Sequence, residues 1–293
     1  MKIQGPLLLA CNHPNSFLDS VILDTLFEQP IWSLARGDVF KNKRAIRILT
    51  ALKILPVYRT SEGVENLPAN YKTFEACVEL FKKKGIVMIF SEGKCINEWH
   101  LRPLKKGTAR LTIKAWQENI PLQVLPVGIN YSSFRRFGKN IIINFGDIIE
   151  KTDININEAE GLRHQSFNNK LQLQLEQLVF EIPGTNKRMQ EELLAIKPPP
   201  FKKIILFIPA ILGWFIHAPL YLPAKSFTLK RTNNNDHFDS IMTGILVVSY
   251  PFYLLLLTLI VFFFTKFWFA FLLLLILPFT AWSYVQVKQQ FDK

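Results

Sequence analysis

Pro6-Leu7-Leu8-Leu9-Ala10-Cys11-Asn12-His13-Pro14-Asn15-Ser16-Phe17-Leu18-Asp19 leads from an apolar run to a histidine and then, within one turn, to a carboxylate. Pro6 to Ala10 reads as a short buried strand, and Phe17 to Phe27 has apolar residues at helical spacing. His13 then falls near the strand end and Asp19 in the first turn of the helix. A histidine whose second nitrogen is held by a carboxylate keeps the tautomer that takes a proton from a hydroxyl. A structural reading competes with this one. Ser16 as N-cap and Asp19 at the third helical position would form a capping box with no chemical part.

The same alternation continues along the chain. Ile31 to Ala35 reads as a strand, Lys43 to Leu52 as a helix and Ile54 to Tyr58 as a strand. Asn70 to Lys84 is an amphipathic helix with Phe74, Val78 and Phe81 on one face. Ile86 to Phe90 is a buried strand, Thr108 to Gln117 a helix, and Gln123 to Val127 and Ile141 to Phe145 are strands. Leu162, Phe167, Leu171, Leu175, Leu178 and Ile182 mark a further helix. Strands alternating with helices predict an α/β fold, a sheet with helical cover, over residues 1–200. Pro198-Pro199-Pro200 ends this domain and stiffens the link to the next.

Three further blocks follow the histidine motif: Leu55-Pro56-Val57-Tyr58-Arg59, then Phe90-Ser91-Glu92-Gly93-Lys94, then Leu125-Pro126-Val127. In this order the set resembles the glycerolipid acyltransferase family, membrane enzymes that acylate glycerol-3-phosphate and lysophosphatidic acid. The resemblance covers about residues 6 to 150. Five residues separate His13 from Asp19 where the family's commonest spacing has four, and the form His-x-Asn-x-apolar-x-Asp is similar to a branch containing glycerol-3-phosphate acyltransferases. Ser91 stands at the family's usual proline, and Lys94-Cys95 replaces the usual Thr-Arg. The resemblance implies a mixed sheet covered by helices, the glycerolipid acyltransferase fold, followed by a C-terminal helical membrane region.

The composition divides near Pro200. Ile241 to Phe264 has no charged residue in 24 positions, more than the roughly 20 that cross a bilayer as a helix. Phe267 to Val285 is uncharged over 19 positions, with Trp268, Trp282 and Tyr284 near its ends, where amphipathic rings favour the interface. Only Thr265 and Lys266 separate the two, which predicts a transmembrane hairpin of 241–264 and 267–285. Pro209, Gly213 and Pro219 interrupt the apolar block 204–222, which also holds His217, expected as a satisfied intramembrane histidine. Lys202 and Lys203 precede that block, Lys225, Lys230 and Arg231 follow it, and Lys288 and Lys293 lie beyond the hairpin. A re-entrant or interfacial 204–222 keeps all these cations on one side, as the positive-inside tendency favours. The expectation is an integral membrane protein with membrane region 201–293, two spans with a third through 204–222 as the alternative, and the domain 1–200 on the cytoplasmic face.

The net charge of +12 and isoelectric point near 9.6 fit an anionic membrane surface and acidic substrates. A nucleic-acid partner is not expected, because no reader motif or aromatic platform accompanies the lysines. Lys82-Lys83-Lys84, Lys105-Lys106, Arg135-Arg136 and Lys202-Lys203 are candidates to face headgroups, with solvated helix ends the alternative for the first three. Cys11, Cys77 and Cys95 show neither a paired framework nor metal-ligand spacing, so a reducing compartment and no metal are expected. Pro6 to Cys11 is shorter than a signal-peptide core, which leaves insertion to the C-terminal hairpin. No Gly-x-Ser-x-Gly elbow, glycine-rich phosphate loop or His-Glu-x-x-His motif occurs. His100, His164 and His237 lie in polar stretches and are expected at the surface.

By resemblance, His13 is the general base and Asp19 its orienting partner. Arg59 and Lys94 are candidates for the phosphate of the acceptor, the arginine as a bidentate fork and the lysine as a point charge. Glu92 would hold acceptor hydroxyls or the phosphate-binding cations, and Gly93 would let backbone approach substrate. Arg102, Lys105 and Lys106 are further anion candidates, as are Arg36 with Gly37. The acyl donor would be acyl-CoA or acyl carrier protein, a thioester that needs no cofactor, and the acceptor a phosphoglycerol. A covalent route through Cys11, on the same strand face as His13, is the alternative mechanism. The alternative function is a non-catalytic, membrane-anchored module that binds lipid or an acyl carrier.

Overall fold

The apolar runs become strands and the periodic segments between them become their connections. In chain order these are β1 (Leu7–Cys11), α1 (Phe17–Asp24), β2 (Ile31–Arg36), α2 (Lys43–Ala51), β3 (Ile54–Val57), α3 (Leu67–Lys82), β4 (Ile86–Phe90), α4 (Lys106–Gln117), β5 (Gln123–Tyr131), β6 (Ile141–Phe145) and α5 (Glu160–Leu178). The computed structural model describes residues 5–58, 67–233, 235–288 and 291. Contacts group them into two units. One comprises residues up to Asn130 with Ile142–Thr185, and the other Tyr131–Ile141 with the residues from Asn186 onward.

In the first unit six strands lie in the order β3-β2-β4-β1-β5-β6. The pairs β1/β4, β1/β5, β2/β3 and β2/β4 are parallel. β6 is antiparallel to β5, because Gly146 N donates to Pro126 O and Val124 bridges Ile149, a register that falls on one side as it rises on the other. The sheet is thus mixed, as expected. Leu7, Leu8 and Leu9 are fully buried, each contributing about 1.5–3 kcal/mol, in keeping with the place of β1 between two parallel partners, β4 and β5. Right-handed crossovers put α1 and α2, which lead toward the β3 edge, on one face and α3 and α4, which lead back, on the other. Cys77, Val78 and Phe81 of α3 share a core with Ala109, Leu111, Ile113 and Trp116 of α4 and with Phe167, Leu171 and Leu175 of α5. His164 belongs to that inner face of α5 and is 9% exposed, which corrects the expected surface position.

The second unit holds α6 (Lys187–Leu194), α7 (Pro200–Arg231), α8 (Phe238–Thr265) and α9 (Leu273–Val287). With the turn that leads into α9, three helices are long and apolar enough to cross a membrane, Pro200–Arg231, Phe238–Thr265 and Trp268–Val287. Lys266 ends α8 in the left-handed conformation and turns the chain into the third of these helices. Pro209, Pro219 and Pro223 lie inside α7 without interrupting it, unlike the break their positions predict. Lys202 reaches Gln286 at 2.7 Å, Gly213 abuts the Thr280 carbonyl, and the charge of Lys225 acts on Lys288. A straight α7 would carry Lys225 away from Lys288 while bringing Lys202 to Gln286. Meeting both requires α7 to bend between Lys202 and Lys225, the stretch that holds Pro209, Pro219 and Pro223. His217 is satisfied at both ring nitrogens, by Gly213 O at 2.8 Å and the Tyr250 hydroxyl at 3.0 Å.

Candidate active site

Register decides which loops meet. Cys11 and Phe90 are side by side and each ends its strand, so the segments that follow β1 and β4 emerge together at the carboxyl edge, where open parallel sheets bind ligands. Asn12 continues the pairing beyond β1. Its Nδ2 donates to Ile129 O at 3.0 Å and its Oδ1 accepts from Ile129 N at 2.8 Å. Ser91 N donates to Cys11 O at 2.9 Å on the other side.

His13 comes next. Its Nδ1 lies 2.9 Å from Asp19 Oδ2, which also accepts from Asn15 N at 2.8 Å. A carboxylate only accepts, so Nδ1 carries the hydrogen, and in the neutral ring the lone pair is then on Nε2. Asp19 is fully buried while the His13 side chain is 14% exposed, and the imidazole stacks on Phe90 with centroids 3.8 Å apart. A ring held in this way can take a proton at Nε2. Ser16 is at the N-cap of α1 but makes no side-chain cap hydrogen bond, so its hydroxyl plays no part in a capping box. Its φ of 54° is sparsely populated for a residue with a Cβ, and its N–H donates to Cys95 Sγ at 2.9 Å.

Glu92 joins two loops. Its Oε2 accepts from His13 N at 2.7 Å and its Oε1 from Arg102 N at 2.9 Å. Burial pushes the carboxyl above the usual glutamate range, and the two N–H bonds partly offset that. Gly93 has φ +68°, a conformation that favours glycine, and a Cβ there would crowd the Lys105 side chain at 3.0 Å. Lys105 N donates to Ser91 O at 2.7 Å and Thr108 Oγ1 to Ser91 Oγ at 3.0 Å. Asn97 Nδ2 donates to Pro14 O at 2.7 Å. The 91–108 segment is thereby sewn onto the His13 turn.

The anion candidates are less uniformly placed. Lys94 is exposed beside Gly93. Arg102 offers its guanidinium to Glu98 at 3.0 Å. Arg36 ends β2 at the same carboxyl edge, opposite Val57, and pairs with Asp38. Gly37 is needed because the Tyr58 ring occupies the space of a Cβ. Arg59 lies outside the described residues. Lys106 opens α4 and lines a groove of about 840 Å³ against α5, with His100, His164, Asn168 and Glu181 among its walls. That groove does not include His13, Asp19 or Glu92. Cys11 is fully buried, and burial followed by the Asp19 charge drives its thiol well above its usual range, which disfavours the thiolate a covalent route needs. Among the described residues no three His, Cys, Asp or Glu side chains converge as metal ligands.

Sequence reading missed Asn12, the Phe90 stack and the backbone role of Glu92. A polar Asn directly after a fully buried strand is the one available signal, since a buried amide must find partners. Residues 1–130 match the family model described as Acyltransferase. No curated protein matches the chain. The matched residues take in β1 to β4 and all but the last residue of β5, so the α/β sheet with helical cover is similar to an acyltransferase domain, and three helices long and apolar enough to cross a membrane follow it.

Proposed function

We propose that the protein is a membrane-bound O-acyltransferase of phospholipid synthesis, which moves a fatty acyl group from acyl-CoA or acyl carrier protein to a hydroxyl of glycerol-3-phosphate or 1-acyl-glycerol-3-phosphate. The observation that carries this reading is the His13–Asp19 pair, at 2.9 Å with Asp19 buried, on the carboxyl edge of a domain matched by an acyltransferase family model. His13 Nε2 takes the hydroxyl proton as the acceptor oxygen bonds to the thioester carbon, and Asp19 stabilises the imidazolium. Collapse of the adduct breaks the carbon–sulfur bond. The departing thiolate recovers the proton from His13, leaving ester and free thiol. The thioester brings its own activation, so no cofactor or metal enters, and holding the two substrates together supplies much of the rate.

Arg59, Lys94, Arg36 and Arg102 are the proposed ligands of the acceptor phosphate, and Gly93 permits close approach of backbone. Lys106 is a weaker member of this set because it faces the α5 groove. Glu92 acts through the His13 and Arg102 loops. The domain faces the cytoplasm, where thioester donors and reduced thiols occur, in keeping with Cys11, Cys77 and Cys95 as thiols that form no disulfide among the described residues. Two helices span and α7 dips into the near leaflet, a reading supported by its bend between Lys202 and Lys225. The test is acyl transfer by the detergent-purified chain, with both donors against both acceptors and His13→Ala in parallel. Product that requires His13 supports the proposal. Transfer unchanged by His13→Ala refutes the base, and no transfer with any pair from a folded preparation favours the binding module.

A further inference from the structure

Residues 39–58 hold five cations, Lys41, Lys43, Arg44, Arg47 and Lys53, and no Asp or Glu. α2 lies within this stretch, and none of its nine residues is buried. Asn42 caps it, with Oδ1 accepting from Ala45 N at 2.8 Å, so its first turn has a local reason to form. Ala45 and Leu49 turn toward the protein and are half-buried. Arg44, Ile48 and Leu52 follow at four-residue intervals and form one stripe, of which Ile48 and Leu52 are each 60% exposed. Lys43, Arg47 and Thr50 occupy the polar side. α1, on the same face of the sheet, adds Phe17 and Val21, one turn apart and 52% and 39% exposed.

Single exposed apolar residues are ordinary on any surface. A helix with no buried residue that sets an apolar stripe beside an arc of cations is the composition of an interfacial element. We propose that α2, with the exposed side of α1, docks on an anionic lipid surface, Ile48 and Leu52 entering the headgroup–acyl boundary and Lys43, Arg44 and Arg47 meeting lipid phosphates. The charge is complementary to such a surface, and apolar helices of spanning length in the same chain hold the domain within reach of one, which raises the effective concentration of the contact. An acidic protein partner would meet the same cations without that tether. α1 begins four residues after His13, so docking also sets how far the His13 turn stands from the bilayer. The inference is independent of the acyl-transfer reading.

Hydrogen–deuterium exchange on the full chain tests it, in nanodiscs of phosphatidylcholine alone and of phosphatidylcholine with phosphatidylglycerol. α2 amides are expected to exchange at least about fivefold more slowly in the anionic discs, since each cation near an anionic surface changes occupancy by about that factor. High salt and the double variant Arg44→Gln/Arg47→Gln should each remove the difference, while α5 exchanges alike in both discs and reports an intact fold. Equal α2 rates in the two discs overturn the proposal. So does slowing that appears in phosphatidylcholine discs only when acyl carrier protein is added, which would make the carrier the occupant.

Discussion

Glu92→Gln replaces one oxygen with an amide nitrogen, yet the geometry makes it nearly as damaging as deleting the side chain. Both carboxylate oxygens accept backbone N–H groups, from His13 at 2.7 Å and Arg102 at 2.9 Å. Glutamine has one acceptor, so in either orientation one N–H faces another N–H. The change removes a charge-assisted bond, about 1.5–3 kcal/mol, and leaves a buried donor unmet, about 1–3 kcal/mol. The neutral side chain escapes the burial penalty that raises the Glu92 carboxyl. The net loss is about 2–4 kcal/mol, which lowers the melting temperature by roughly 5–15 °C for a domain of this size. Thermal scanning of the detergent-purified chain, with transfer kinetics on the same sample, should show a lower melting temperature together with a lower kcat as the His13 backbone moves. An unchanged melting temperature with only a raised KM for the phosphoglycerol would refute the reasoning and return Glu92 to direct contact with the acceptor.

Four further outcomes are expected. Asp19→Asn keeps its oxygen toward both His13 Nδ1 and Asn15 N, so transfer falls roughly 5- to 30-fold through loss of charge; a fall of about 10⁴-fold would indicate a reversed amide and the wrong tautomer. Cys11→Ala leaves transfer within a few-fold of the native rate, and a trapped acyl thioester on Cys11 would contradict this. Asp153 is held below the usual aspartate range chiefly by its hydrogen bond to Lys170, at 2.7 Å. That contribution is present above the unfolded carboxylate pKa and lost as pH falls through the folded one, so Asp153→Asn should lower the melting temperature at neutral pH and match the native chain in strong acid. With α7 dipping, Asn233→Cys is labelled by an impermeant thiol reagent from the same side of oriented vesicles as a cysteine in the first unit; labelling from opposite sides would establish a third span.

The parts legible in the sequence are those governed by local pattern. β4 and β6 begin and end where their apolar runs do, because a short run bounded by turn residues has one reading. The His13–Asp19 pair was legible for the same reason, since one turn joins them. α6 escaped notice because Lys187–Leu194 is polar on most of its surface and buries only Gln190 and Leu194. His164 looked exposed among polar neighbours, although its three-residue spacing to Phe167 puts it on the inner face. The prolines of α7 predicted a break and yielded a bend, since a helix packed along a neighbour tolerates a lost backbone bond better than an isolated one. Glu92 was legible as a candidate site residue, but its two backbone bonds were not. Its partners come from loops 79 and 10 residues away, and only the register of β1 with β4 brings them together.

That register also orders events in time. β1 precedes both of its parallel partners in the chain, and β5 is complete only at Tyr131, roughly 120 residues after Cys11 leaves the ribosome; at about 5–20 residues per second the strand waits for about 6–24 s. Until β4 is made, Leu7, Leu8 and Leu9 have no parallel partner, and until β5 is made β1 remains an open edge. The nascent chain therefore presents a sticky segment of high contact order, to be shielded by a chaperone or by the ribosome surface, and a ribosome-stalled chain ending before β5 should be open to protease at β1 where one ending beyond it is closed.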